Sequence, residues 1–417
     1  MDSVQVEQLK NGCFFAMMKA IQGKLYTRPR ATALKTFCGH DVMKEENHPM
    51  KKLIALFLSL TMAASLAACG GSASSAASSA ASTADSTAAS SESASTAEGE
   101  DPYAALGDFT MVIGHAQPEG NPRFVSMEQF AKDVSEATNG HVTVEVYGNG
   151  QLGTEKEMLE QVVAGTIQGM RGGQFDFSPR LLMFTLPFLT QTRAQVTALL
   201  QSDLAKSVCA EAEAETGTVI INLCDAGGYR QFSNSKHPIT KPDDLKGLKM
   251  RTNGMKTIDM TFQALGATTT TIPYSDLYMG LKTGVADGQE NPWVNVQGMK
   301  FYEVQQYFTE VNYQFHPDPF YVNATWWNSL PEEFRTILSE CATEMGEYND
   351  QLIDQNSDAA KQVVIDAGCE VYIPTAEELA AFQEASQPVY QQVVTEGICS
   401  QEELDEMLAI VAAVRGN

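Results

Sequence analysis

Basic residues are scarce in this chain. Over 417 residues, 28 Lys and Arg stand against 52 Asp and Glu, a formal net charge of −24. Nucleic acid and anionic lipid surfaces both require basic partners, so neither is expected to bind the folded part. The acidic surface acts only weakly beyond a Debye length of roughly 8 Å, so a small anion can still bind where arginines are placed locally. The six histidines are scattered, without His-Glu-x-x-His and without a cysteine at ligand spacing, and no metal site is expected. Gly-x-Ser-x-Gly, a P-loop, a glycine-rich fingerprint after the first strand and a Cys–His pairing are all missing. That leaves no catalytic residue and no cofactor to name. Most carboxylate pairs fall on helix surfaces, where solvation explains them.

What is present is ordinary for a globular protein: 43% hydrophobic and 19% charged residues. The length suffices for two domains, each with its own core. Lys51 and Lys52 precede an apolar run, Leu53 to Ala64. It is shorter than the about 20 residues of a membrane span and suits an export signal over residues 50–68. Its ending, Leu66-Ala67-Ala68-Cys69, resembles a bacterial lipobox, which implies an acylated Cys69 and a lipid anchor on the outer face of the cell membrane, or a periplasmic location. Residues 69–101 are mostly Ser, Ala, Thr and Gly, too small to build a core, and read as a flexible tether. Residues 1–49 show no clear periodicity and read as an upstream extension from a misassigned start, with Met50 the natural first residue. Five cysteines remain for the folded part: Cys209, Cys224, Cys341, Cys369 and Cys399. A pair such as Cys209–Cys224 stays open in an exported protein, beside the simpler reading of buried thiols.

Along the folded part, strands alternate with helices, the pattern of a sheet covered by helices on both faces. Phe109–Gly114 and His141–Tyr147 read as strands, Asn121-Pro122 as a helix start, and Thr154-x-x-Glu157 as a capping box. One helix is expected near Thr192–Thr216, then the strand Thr218–Cys224. The second half predicts strands at Tyr229–Ser233, Leu248–Thr252, Thr268–Ile272, Gly284–Gly288 and Val311–Phe315, with Ser275 capping the helix that carries Leu277. Capping boxes are expected at Ser329-x-x-Glu332, Thr375-x-x-Glu378 and Ser400-x-x-Glu403. The helix from Pro331 runs past residue 360, about 30 residues and roughly 45 Å, long enough to cross two domains.

One segment carries the functional reading. Arg251 ends an apolar strand (Leu248, Met250) beside a helix start, the usual ligand position in open α/β sheets, and its planar fork suits a carboxylate. From position alone a structural ion pair serves equally well. Asn291-Pro292 reads as an N-cap followed by a first-turn proline, with Trp293, one of three tryptophans, just behind. The series Lys246-Gly247-Leu248-Lys249-Met250-Arg251, then Asp287-Gly288-Gln289-Glu290-Asn291-Pro292-Trp293, resembles the solute-binding proteins of the tripartite ATP-independent periplasmic (TRAP) transporters, the DctP family. Gln151-Leu152-Gly153-x-Glu155 and Leu186-Pro187-Phe188 fit as well, and the likeness runs from about Phe109 to the C-terminus.

The resemblance implies an α/β fold of two domains around a cleft of the type II periplasmic-binding-protein kind, with a long domain-spanning helix. The implied division is 102–227 plus 317–356 for domain 1, and 228–316 plus 357–417 for domain 2. It also implies a binding protein without catalytic activity. Such a protein captures a small organic acid (a C4-dicarboxylate, a sugar acid or similar) by hinge closure and delivers it to membrane permease subunits for ion-gradient-driven import. Arg251 is implied as the carboxylate clamp, Arg230 and Asn291 as helpers, and Trp293, Tyr274, Gln174 and His115 as pocket residues. Relatives differ at His115 and near Gly173. The alternatives are an ABC-type solute receptor and a secreted lyase or hydrolase using the same cleft.

Overall fold

The computed structural model describes residues 101–175 and 177–414. The upstream extension, the export signal, Cys69 and the tether to residue 100 lie outside the described residues. In chain order, the first half forms β1 (Phe109–Gly114), α1 (Pro122–Ala137), β2 (Val142–Tyr147), α2 (Glu155–Ala164), β3 (Gly169–Arg171), α3 (Arg193–Leu200), α4 (Asp203–Thr216) and β4 (Thr218–Asp225). The second half adds β5 (Gln231–Asn234), β6 (Lys249–Thr252), α5 (Lys256–Ala264), β7 (Thr268–Thr271), α6 (Leu277–Lys282), β8 (Gly288–Asn291), α7 (Trp293–Gly298) and β9 (Tyr307–Thr309). There follow β10 (Pro317–Asn323), α8 (Ala324–Ser329), α9 (Glu332–Asp366), β11 (Glu370–Tyr372), α10 (Ala376–Ser386), α11 (Pro388–Thr395) and α12 (Gln401–Ala413).

These strands make two sheets, ordered β2-β1-β3-β10-β4 and β11-β9-β5-β8-β6-β7. In the first, β1 pairs in parallel with β2 and β3, while the returning β10 runs antiparallel to β3 and β4. In the second, β6 is parallel to β7 and β8, and β5 is antiparallel to β8 and β9. Every residue of β10 is buried, as expected for an interior strand covered on both faces.

Three stretches of chain connect the two sheets. Residues 226–230 leave β4 for β5, and residues 311–316 return toward β10. They pair with each other: Arg230 N–H donates to the Gln314 carbonyl (3.0 Å), Tyr313 N–H to the Arg230 carbonyl (3.2 Å) and Ala226 N–H to the His316 carbonyl (3.2 Å). Gly227 and Gly228 hold positive φ of 138° and 93°, and both their N–H groups donate to Asp225 Oδ1 (2.9 and 2.6 Å). The third connection is α9, 35 residues long. Its first half packs Phe334, Leu338 and Met345 against Met111, Ile113 and Phe320 of the first sheet. Its second half packs Ala360 and Val364 with Phe308 of the second sheet and with Trp293 and Val296 of α7. The one glycine inside α9, Gly346, stands where β4 comes close: a Cβ there would lie 2.7 Å from Asn222 Nδ2.

Local signals placed most helix starts. Asn121 caps α1, and full capping boxes form at Thr154, Thr375 and Ser400. Several expectations need correction. The stretch expected as one helix over Thr192–Thr216 breaks at Gln201, and Ser202 caps a second helix. Ser329 makes no capping box: its hydroxyl donates to the Trp326 carbonyl and α9 starts after Pro331. Ser275 falls in a 3-10 turn, Tyr274–Asp276, and caps nothing. The strand expected at Gly284–Gly288 starts at Gly288 instead, after a left-handed Gly284 (φ 75°). Asn291 is therefore the last strand residue, and Pro292 takes the cap position of α7. Val311–Phe315 is an intersheet connector, with Asn312 at φ 47°, and no strand forms there. The five described cysteines are free thiols.

Candidate ligand-binding site

Between the sheets, where two of the connections cross, lies a tight cavity of about 30 Å³. From the first sheet's side it is lined by Gln117, Arg123 at the start of α1, Glu155 at the start of α2, and Gly173. From the second come Arg251, Asn253, Tyr274, Asn291 and Asn295. The connectors contribute Ala226, Arg230 and His316. A water needs about 10–15 Å³ of such space, so a carboxylate group fits and a larger ligand requires the cleft to open.

The arginines divide by how their charge is used. Arg123 pairs with Glu155 (2.7 Å) and Asp318 (2.8 Å), and Arg171 pairs with the same Asp318 (2.9 Å). Burial alone would depress Arg123, but Asp318 and Glu155 hold it above its ordinary range. Arg230 grips Glu290 through Nε and through Nη2 (2.8 Å), and Nη2 also donates to Asn291 Oδ1 (3.2 Å). The Tyr313 hydroxyl donates to Glu290 Oε2 (2.7 Å), the oxygen that also accepts from Arg230 Nε. Burial works against the Arg230 charge as well, and Glu290 more than restores it.

Arg251 is different. It sits on β6, is 1% exposed, and donates from Nε to the Ile272 carbonyl (2.8 Å). Among the described residues its Nη2 has no hydrogen-bond partner, and it forms no salt bridge with any of them. Burial pushes it down to about 10, with Glu290 pulling upward and Arg230 downward. It is still protonated at neutral pH.

The remaining expected residues take varied positions. Tyr274 and Asn291 line the cavity with Arg251 and Arg230. The Tyr274 hydroxyl donates to Gln117 Oε1 (3.0 Å), and burial raises it above the ordinary phenol range. Asn291 Nδ2 donates to Gln289 Oε1 (2.6 Å). Trp293 does not line this cavity. It packs on Phe308 (5.8 Å between rings) and borders a neighbouring cavity of about 290 Å³. His115 is fully buried one step behind the cavity, its ring edge-on to Phe124, and its Nδ1 accepts from the N–H of Gln117, which does line it. Burial, then Arg123 and Arg171, press His115 down to about 3, so it is neutral. Gln174 lies next to the lining residue Gly173, its carbonyl accepting from the Tyr321 hydroxyl (3.1 Å).

Sequence reasoning missed Gln117, Arg123, Glu155, Asn253, Asn295 and His316. Arg123 and Glu155 carried a local signal, since both follow a helix cap within two residues. His316 carried none, because its place depends on the pairing of two distant connectors.

Two sheets joined by crossing connectors and a long helix, with a buried cation unpaired among the described residues, are the features of a receptor for a small anion. The chain belongs to the bacterial extracellular solute-binding proteins, family 7 (DctP), whose model matches residues 113–396. These are periplasmic binding proteins of TRAP transport and not enzymes. The chain is 32% identical over 286 residues to the C4-dicarboxylate-binding periplasmic protein DctP of Rhodobacter capsulatus, covering 67% of this chain and 85% of that protein. Among solved structures, it is similar to a TRAP periplasmic solute-binding protein from Desulfovibrio salexigens with bound orotic acid (31% identity, TM-score 0.69, covering 73% of this chain and 99% of that one). Another is a TRAP solute-binding protein from Xanthobacter autotrophicus with bound β-D-galacturonate (27% identity, TM-score 0.67, covering 73% of this chain and 100% of that one).

Proposed function

We propose that this chain captures a small organic acid outside the cytoplasm, holding its carboxylate on Arg251 while Arg230 and Asn291 shape the pocket, and delivers it to TRAP membrane subunits. The observation that supports this reading is the Arg251 guanidinium, buried with Nη2 unpartnered and without a carboxylate of its own among the described residues. Leaving a charge so desolvated is costly, and a bound carboxylate relieves that cost. Every relative described above is named for, or holds, a molecule with a carboxylate. The two lobes follow the sheets, 102–227 plus 317–356 and 228–316 plus 357–417, and closure turns on the connectors at 226–230 and 311–316.

Titration calorimetry of the full chain with a carboxylate panel (succinate, orotate, D-galacturonate) tests the site. For whichever acid binds, Arg251→Ala is expected to cost about 2–5 kcal/mol, as for a desolvated ion pair losing one partner. Unchanged affinity removes Arg251 from the site. The Leu-Ala-Ala-Cys ending supports attachment through an acylated Cys69; mass spectrometry of the membrane-bound protein should find the lipid there, and Cys69→Ala should release the protein.

A further inference from the structure

At the end of the first sheet away from the cleft, two carboxylates close on one imidazole. His141 immediately precedes β2. Its Nε2 lies 2.7 Å from Asp101 Oδ2, and its Nδ1 lies 2.7 Å from Asp108 Oδ1. We propose that His141 is a proton-dependent clasp: charged, it docks residues 101–108, the segment that leads into β1, and neutral, it loosens that segment.

The chemistry of the ring carries the argument. A neutral imidazole has one N–H donor and one lone pair. Against two ionised carboxylates, one contact would donate and the other would set a lone pair against an anion. Only the imidazolium donates on both sides, so the geometry selects the protonated ring. Asp101 and then Asp108, through these hydrogen bonds, raise it above its ordinary 6.5, against a smaller effect of burial. The other rings packed on it are uncharged: Phe334 of α9 stacks at 6.4 Å and 21°, and Tyr103 stands edge-on at 6.5 Å. A group raised in the folded state lends its full stabilisation below about 6.5 and loses it as the pH climbs through the raised value.

The same contacts fix the segment. Asp101 Oδ1 accepts from the Tyr103 N–H (3.1 Å) and from Asn139 Nδ2 (3.0 Å), which ties it to the turn before β2. The Phe109 N–H donates to the His141 carbonyl (2.8 Å), so the docked stretch ends where β1 begins. Tyr103 and Leu106 also pack on the core of the first sheet, so loss of the proton weakens the docking without removing every contact.

The clasp acts on attachment and not on the ligand. β1 is six residues long, about 20 Å, and the cavity-lining Gln117 follows its other end. When undocked, residues 101–108 join the chain upstream and add up to about 27 Å of reach. With the upstream residues acting as the tether expected from their composition, the proton sets how far the binding body stands off its anchor.

Hydrogen–deuterium exchange on the full chain between pH 6 and pH 9, corrected for the intrinsic rate, tests the clasp. Backbone protection over residues 101–108 is expected to fall about three- to tenfold as the pH rises, the scale of two partly exposed ion pairs. NMR of the histidine-labelled chain should give His141, assigned by its loss in His141→Gln, a titration midpoint above 6.5. Asp108→Asn should stay docked at pH 9, because its amide can donate to the ring nitrogen that has lost its proton. A midpoint at or below 6.5 overturns the clasp. So does a loss of protection in His141→Gln equal to that of wild type, or in Asp108→Asn equal to that of wild type. Each of these results leaves the receptor reading intact, since none of them measures the ligand site.

Discussion

Two arginines in this protein sit in opposite electrostatic situations. Arg251 lines the central cavity with no carboxylate partner among the described residues. Arg193, at the start of α3, is surrounded by three: Asp225 (3.2 Å), Asp350 (2.8 Å) and Asp354 (2.7 Å). The cavity that Arg193 lines and the one beside it are far larger, about 290 and 420 Å³, yet beside Arg193 and Lys206 their walls carry Asp225, Glu310, Glu347, Asp350, Asp354 and Asp358. An anion entering there meets a surplus of negative charge, so the larger space is the poorer anion site. The carboxylates have structural work instead. Asp225 holds the two glycine N–H groups of one intersheet connector, and Arg193 ties that turn to the middle of α9. Spare positive charge in one region marks binding; spare negative charge in the other marks a brace.

The largest test of this contrast is at Arg230, whose charge is consumed within the fold. Arg230→Ala leaves Glu290, which is fully buried, without its cation. The expected loss is about 3–5 kcal/mol of unfolding free energy by chemical denaturation. The double variant Arg230→Met, Glu290→Leu should recover much of it, since a buried pair often exchanges for apolar packing at little cost. Arg251→Ala, by contrast, removes a buried charge that lacks a protein carboxylate, and should leave stability unchanged or raised while binding is lost. Equal destabilisation by the two single variants would mean that the Arg251 bond to the Ile272 carbonyl holds the fold as strongly as the Arg230–Glu290 pair does.

The contrast between these arginines was only partly legible in the sequence. Arg251 could be found because it ends an apolar strand beside a helix start, a purely local signal. The caps at Asn121, Thr154, Thr375 and Ser400 were legible for the same reason: a side chain and an N–H two or three residues away decide them. The stretch Val311–Phe315 read as a strand, but the connector it belongs to pairs with residues 226–230, some 85 positions earlier, and no local pattern reports that. His316 and the Arg230–Glu290 pair depend on the same distant crossing. Trp293, expected in the pocket, lies beside this cavity for a related reason. Its side chain follows Phe308 and the second half of α9, and its nearness in sequence to Asn291 does not bring it into the cavity.

A middle-sized effect is expected at Arg193. With 32% of its side chain exposed, it lies between surface and buried pairs, so Arg193→Ala should cost about 1–3 kcal/mol in urea unfolding. Because Asp225 loses its cation while still capping Gly227 and Gly228, the loss should be larger than for Lys206→Ala, whose partner Asp203 is 97% exposed. Two variants of equal stability would remove the brace from the argument.

The smallest expected effect is a pH dependence carried by Asp350. Burial, with Asp225 nearby, pushes this carboxyl up to about 6, while Arg193, Asn349 and Arg171 act in the other direction. An unfolded aspartate titrates near 3.9, so between those two pH values the folded protein holds the extra proton. Stability from this group is therefore full below about pH 4, falls as pH rises toward 6, and is flat above about 7. Asp225 shifts in the same sense, whereas the neutral buried His115 and His316 lose stability as pH falls below about 6.5, so the wild-type curve alone mixes opposing slopes. The difference between Asp350→Asn and wild type isolates the one group, because the amide still accepts from Arg193. The melting temperature of the variant relative to wild type should climb from pH 4 to pH 7 and then level, by a modest amount since 35% of the Asp350 side chain is exposed and screened. A difference that stays constant across that range would show that Asp350 titrates as an ordinary surface carboxylate, and that the negative surplus around Arg193 exerts no strain on the fold.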